Sequence, residues 1–286
     1  MAVLTIFDPW RCKLCNCRFK YSFSPYVGCS HLCQYCYASS YISRFFEPRV
    51  KMEVIKSLNR EVSKIKSNKY VTIASSSDPY QYLEEKLKLT REALKIFYHH
   101  EFKISILTKS NLVLRDLDIL KKARVVVGIT ITTLDEDKAK KLEPGAPSPQ
   151  KRIETIKTLS KNGIPTVARI DPIIPYVNDS EIEELVKCCV EAGASNIVSS
   201  TYKVKIDNWI RMKKSFPEEM SKLRNFYFSK GEKISGYYYL PKAYRLKIMK
   251  KVASEARKFG IDFSVCREGF FELNTGSCDG FHLLYK

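Results

Sequence analysis

Residues 24–38 read Ser-Pro-Tyr-Val-Gly-Cys-Ser-His-Leu-Cys-Gln-Tyr-Cys-Tyr-Ala, which sets Cys29, Cys33 and Cys36 at CxxxCxxC spacing within one short loop. A closed structural zinc site wants four protein ligands, so three thiols leave it incomplete. A 4Fe–4S cube held by three cysteines keeps one iron free for a small molecule, and tight spacing lets one loop wrap it. The alternative is half a zinc site completed by His31 or a distant cysteine. Tyr26-Val27-Gly28 reads as a strand end with a glycine turn, placing the thiols just after a first β-strand. In α/β barrels the carboxyl ends of strands carry the chemistry.

The 286 residues suffice for one large core, or for one domain with an insertion. No apolar run reaches transmembrane length, and the opening Met-Ala-Val-Leu-Thr-Ile-Phe-Asp-Pro-Trp is too short and uncharged for a signal peptide. Ten cysteines without such a signal point to metal ligation in a reducing compartment. A cytoplasmic, monomeric protein with no membrane contact is expected. The net charge of +18 makes nucleic acid the first partner to consider. Residues 205–258 concentrate it, with 15 Lys and Arg against 5 Asp and Glu.

After the cysteine loop, helices are expected near Ser40 and over 50–67. Strand and helix then alternate. Strands are read over 70–75, 103–107, 124–131, 166–170 and 196–202, with helices over 83–99 and 113–122, before and after 143–148, and over 179–191. Such alternation implies right-handed βαβ units and a parallel sheet. Six units, counting the first strand, make an incomplete barrel with its ligand edge at the strands' carboxyl ends. From Lys205 to Leu240 the rhythm breaks, with helices over 208–214 and 217–224. A basic helix follows from Pro241 to about Lys258, then a last strand over 262–266. Three segments are expected: 1–23 as a cysteine-bearing extension, 24–204 as the barrel core, and 205–286 as a basic aromatic insertion with a cysteine-bearing tail.

The motifs Tyr26–Ala38, Ser77-Asp78-Pro79-Tyr80-Gln81 and Thr108-Lys109-Ser110 together resemble the radical S-adenosylmethionine (SAM) family of DNA repair photolyase type, the group related to spore photoproduct lyase. Arg115–Leu120, Glu143–Ser148 and Pro172–Pro175 extend the match, in order, across residues 9–200. The resemblance implies a partial (β/α)6 barrel with a 4Fe–4S cluster at its mouth. It also implies SAM on the free iron, an electron donor such as a ferredoxin or flavodoxin, and a 5′-deoxyadenosyl radical that takes a hydrogen atom from substrate. The cofactor carries that chemistry and the protein binds and orients. No catalytic side chain is singled out. In the spore enzyme a hydrogen-returning cysteine precedes a Thr-Ser-Asp; here the stretch is Ser75-Ser76-Ser77-Asp78. A serine O–H bond is too strong for that role, so repair of the spore thymine dimer is not expected.

Candidate SAM contacts are Tyr35 beside the third thiol, Ser76, Ser77 and Asp78, and Lys109 and Arg169, whose charges suit the SAM carboxylate. Thr130, Thr132 and Arg152 are weaker candidates. Cys15, Cys17, Cys266 and Cys278 stand outside the barrel motifs, and both ends of a partial barrel meet at its open side. These four are expected to form an auxiliary 4Fe–4S cluster or a zinc site, with Cys12 a rival ligand and unligated thiols the alternative. Cys188 and Cys189 read as helix packing. The basic segment holds nine aromatics, and cations with flat rings suit phosphates and unstacked bases. Trp209, Arg211, Lys213, Lys214, Tyr237, Tyr238, Tyr239 and Lys242 are the expected nucleic-acid contacts, with no motif to separate DNA from RNA.

Overall fold

The computed structural model describes residues 2–7, 12–67, 69–73 and 76–285. Asp8, Pro9, Trp10 and Ser75, quoted above, lie outside the described residues. Eight strands form the main sheet, numbered here in chain order: β1 Leu4–Ile6, β2 Tyr21–Phe23, β3 Tyr70–Ile73, β4 Lys103–Thr108, β5 Val125–Thr130, β6 Thr166–Ile173, β7 Asn196–Thr201 and β8 Asp262–Val265. Their spatial order equals their chain order. β1 pairs antiparallel with β2, and every other neighbouring pair is parallel.

The residues of β5 and β7 are buried throughout. Sheets covered on both faces read as continuous β-branched runs rather than alternations, and Val125-Val126-Val127 is such a run. The expected strands at 103–107, 124–131, 166–170 and 196–202 are therefore present, with β6 running on to Ile173. The first barrel strand is β2, earlier than Tyr26–Val27. That pair instead forms a small antiparallel ladder with Arg49–Val50. Strands from all three expected segments hydrogen-bond into this one sheet, so the boundaries at 23/24 and 204/205 cut through it.

The helix expected over 83–99 is broken into Tyr82–Leu87 and Leu89–His99 at Lys88, whose φ is 52°. The buried Glu84 explains the break. Its carboxylate accepts from the Thr90 and Arg91 N–H groups at 2.8 and 3.2 Å, capping the second helix. It also receives the Tyr26 hydroxyl at 2.5 Å and Arg115 at 2.6 Å. Arg115 and Arg91 in turn hold the buried Asp116, where a 3₁₀ segment, Asn111–Asp116, replaces the start of the expected helix. The helix expected at Ser40 is a single 3₁₀ turn, and that expected over 50–67 spans Val54–Val62.

In the basic segment, helices Ile206–Ser215 and Pro217–Phe228 precede a hairpin of Glu232–Ile234 with Tyr237–Tyr239, and helix Lys242–Lys258 leads to β8. The second helix continues through Asn225–Phe228, where a break was expected. Lys242–Lys258 packs on Ile182–Glu191, where Cys189 is wholly buried as expected of a packing residue.

The tail runs across the amino ends of the strands. Phe281 packs on Tyr70 at 4.6 Å between ring centroids. Asn196 and Ser105 donate to the Ser277 and Asp279 carbonyls, and a Cβ on Gly280 would lie 2.6 Å from Val126. The opposite, carboxyl ends stay open. Beside them the buried Glu268 accepts from the Thr201 N–H at 2.8 Å and pairs with Arg245 and Lys203 at 3.0 and 3.2 Å. Glu268→Ala leaves both cations buried without their carboxylate and should cost about 3–5 kcal/mol in urea unfolding.

Candidate active site

The cysteine loop has little regular structure, so side chains fasten it. A Cβ on Gly28, at φ +84°, would lie 2.5 Å from the Phe45 carbonyl, and the same carbonyl receives the Cys29 N–H at 2.7 Å. Only glycine lets the chain pass there. Gln81, fully buried, accepts from the Ser30 N–H and donates to the Gly28 carbonyl, each at 3.0 Å. Gly145 abuts Ser30 so closely that a Cβ would meet its carbonyl at 2.0 Å. Behind the loop, Asn208 donates to the Tyr35 carbonyl at 2.9 Å, while Arg211 donates to the Cys36 carbonyl at 2.7 Å and the Gln34 carbonyl at 3.2 Å.

Cys29, Cys33, Cys36 and Tyr35 line a cavity of about 130 Å³ with Ser76, Ser77, Asp78, Lys109 and Thr130. Of the expected SAM contacts, Tyr35, Ser76, Ser77, Asp78, Lys109 and Thr130 are thus gathered around the loop thiols, and Arg169, Thr132 and Arg152 are not. Arg169 faces a different space. Its guanidinium pairs with Asp171 at 2.6 Å and donates to the Cys278 carbonyl at 3.1 Å, inside the barrel. Thr132 and Arg152 do not line the cavity; Arg152 is buried on Glu143 and donates to the Thr130 carbonyl at 3.2 Å.

Asp78 lines the cavity, but its carboxylate is already committed. It accepts from Thr108 Oγ1 at 2.6 Å, from the Lys109 and Tyr80 N–H groups at 2.8 and 2.9 Å, and faces His31 Nε2 at 3.1 Å. Burial alone would raise its pKa; His31 and these donors outweigh burial and bring it down to about 2. Asp78 therefore positions three loops rather than offering a free oxygen. His31 Nδ1 meets the Gly145 carbonyl at 3.1 Å, so neither ring nitrogen is available as a fourth ligand, and the half-zinc alternative loses its nearest candidate. Lys109 Nζ lies 3.9 Å from Glu143 and reaches into the cavity. Burial opposes its charge, while Cys33 and Glu143 favour it strongly enough to raise its pKa. Glu143 also receives the Tyr35 hydroxyl.

The donor set fits an iron–sulfur cube: three thiols, with a cation and hydroxyls opposite. Burial, with Asp78 nearby, pushes the Cys29 thiol up to about 12, and burial raises Cys33 and Cys36 too. Ligation must therefore displace protons. A second cavity of about 190 Å³ adjoins the first, sharing Tyr35, Cys36, Ser76, Lys109 and Thr130. It adds Tyr37, Arg169, Lys203 and Arg267.

The expected nucleic-acid contacts divide. Lys213, Lys214 and Lys242 are exposed and Tyr238 half-buried. Trp209, Tyr237 and Tyr239 are buried: Trp209 packs on Phe228 at 4.8 Å, and Tyr237 meets Tyr37 at 5.2 Å. Rings used in the interior offer no open stacking face, and Arg211 is spent on the cysteine loop. The supporting roles of Gln81, Glu143 and Glu268 were not read from the sequence, where His31 was weighed only as a zinc ligand. Gln81 and Glu143 fall inside the quoted motifs, but their partners are 51 to 108 residues away. Among the described residues no helix is long and apolar enough to cross a membrane.

Gln81→Ala strands the Ser30 N–H and Gly28 carbonyl, a cost of roughly 2–4 kcal/mol in denaturant unfolding. Gly145→Ala forces the 143–148 loop off the cysteine loop and should cost about 1–3 kcal/mol in the same assay.

Residues 23–189 match the radical SAM superfamily. An uncharacterized protein of Methanocaldococcus jannaschii is 39% identical over 167 residues, which are 57% of this chain and 63% of that protein. A radical SAM Nα-GlyT isomerase of Pseudomonas phage M6 is 22% identical over 255 residues, 85% of this chain and 53% of that one. In fold the chain is similar to spore photoproduct lyase complexed with dinucleoside spore photoproduct. The TM-score is 0.65 at 15% identity, over 86% of this chain and 75% of that one. Streptococcus suis SuiB bound to S-adenosylmethionine gives 0.60 at 16% identity, over 85% and 49%. The family match spans more than half the chain and falls on the thiol loop, so the chain belongs to the radical SAM superfamily, with the 4Fe–4S cluster and SAM that membership implies.

Proposed function

We propose that the chain reductively cleaves SAM and acts on a nucleic-acid base, as repair or modification. When bound, the cluster and SAM supply a 5′-deoxyadenosyl radical that abstracts hydrogen. The chain's own residues supply the rest. Cys29, Cys33 and Cys36 hold the cluster, and Lys109 meets the SAM carboxylate. Ser76, Ser77 and Thr130 offer hydroxyls to its polar groups.

The second cavity, of about 190 Å³ and central between the strand ends, carries the substrate reading. The rings of Tyr35 and Tyr37 line it, and Lys109, Arg169, Lys203 and Arg267 outnumber the single carboxylate of Asp171. Flat surface beside excess positive charge suits an unstacked base with its phosphate. The exposed lysines at 213, 214 and 242 add attraction for the backbone. The fold likeness to a lyase complexed with a dinucleoside photoproduct supports the same class. An electron donor such as a ferredoxin or flavodoxin is required by this reading.

Reconstituted protein should release 5′-deoxyadenosine from SAM under reduction, and Cys33→Ala should abolish the release. Lys109→Met should weaken SAM binding about tenfold or more, the worth of a charge-assisted hydrogen bond. Deuterium placed on an oligonucleotide's bases should appear in the 5′-deoxyadenosine. Transfer only from a peptide or small metabolite would overturn the substrate assignment while leaving SAM cleavage intact. Oligonucleotide affinity should fall steeply with salt; a flat response would remove the phosphate contacts.

A further inference from the structure

A second group of thiols gathers inside the barrel from the two ends of the chain. Cys15 and Cys17 precede β2, Cys266 follows β8, and Cys278 lies in the tail; all four line one cavity of about 140 Å³. The Cys17 and Cys278 Sγ atoms are 3.8 Å apart. Side-chain contacts continue from Cys17 to Cys15 and from Cys278 to Cys266. All four are free thiols. Cys12 is buried elsewhere, against Arg267, and does not line the cavity.

The lining of this cavity is basic as well as thiol-rich. Lys20, 3% exposed, Arg169 and Arg267 line the same space. Lys20 Nζ pairs with the Asp279 carboxylate at 2.5 Å, and Arg169 pairs with Asp171 at 2.6 Å. Four thiolates around a metal dication carry a net charge of about −2, which such cations offset. Among the described residues no three Cys, His, Asp or Glu side chains already close on a point, as a bare ion needs. That holds for Cys29, Cys33 and Cys36 as well; in both places the thiols ring a cavity.

We propose that Cys15, Cys17, Cys266 and Cys278 hold a second, all-thiolate metal centre, zinc or an iron–sulfur cluster, that ties the two ends of the chain together inside the barrel. Loading releases one proton from each thiol that carries one and involves no net oxidation of the ligands. Arg169, Cys266 and Arg267 line both this cavity and the central one, so the centre lies against the inner wall of the substrate space.

The test is metal and sulfide analysis of the anaerobically purified full chain. Wild-type protein should carry, beyond about four irons for the loop cluster, either about one zinc or a second set of iron and sulfide. About four irons and no zinc would overturn the proposal, because one cube accounts for them. The Cys29→Ala, Cys33→Ala, Cys36→Ala variant should keep the second metal and lose the first; its complete loss from a soluble, folded variant would also overturn it. Cys17→Ser with Cys278→Ser should lose the second metal and keep the loop cluster, and a metal content unchanged by that pair would refute the assignment to these residues. None of these readouts depends on the substrate, so this proposal and the one on nucleic acid fail separately.

Discussion

The Asp78 carboxylate is the joint on which the site depends. It stands just past β3, takes hydrogen bonds from the Thr108 hydroxyl and Lys109 N–H at the end of β4, and faces His31 in the cysteine loop. One buried anion thus fixes the relative positions of two strand ends and a loop with almost no regular structure of its own. Such a group is costly to bury and is tolerated because its oxygens are satisfied. Gln81 repeats the device one turn further on, and Glu143 does so from the far side with Arg152, Tyr35 and Lys109. The thiols are held by polar side chains from three directions.

The rest of the barrel makes that arrangement one-sided. The tail fills the amino ends of the strands, with Phe281 on Tyr70 and Gly280 against Val126. The carboxyl ends keep the cavities. Because the plug comes from the last residues and the N-terminal cysteines come from the first, the two termini share one interior space. The sheet's last strand, β8, carries Cys266 to the edge of the same space.

The segment 205–258 looks different in three dimensions from its composition. Its charge is real, and Lys213, Lys214 and Lys242 are exposed. Its aromatics, however, form an inner layer: Trp209, Tyr227 and Phe228 pack edge to face, and Tyr239 is fully buried. Helix Ile206–Ser215 uses Asn208 and Arg211 to support the cysteine loop from behind. The segment is part of the site's foundation as well as its basic surface.

The CxxxCxxC spacing, the β-branched runs and their alternation with helices were legible in the sequence, because ligand spacing and burial on both faces of a sheet are local patterns. They determined the superfamily, the parallel sheet and the three loop thiols. Three things needed the tertiary structure. The break at Lys88 depends on Glu84 meeting Arg115, 31 residues away. The turning of Arg169 inward depends on where the tail runs. The inward burial of Trp209 and Tyr239 depends on neighbours that composition does not name. Spacing along a chain says which groups a loop holds; only the packed fold says which distant groups hold the loop.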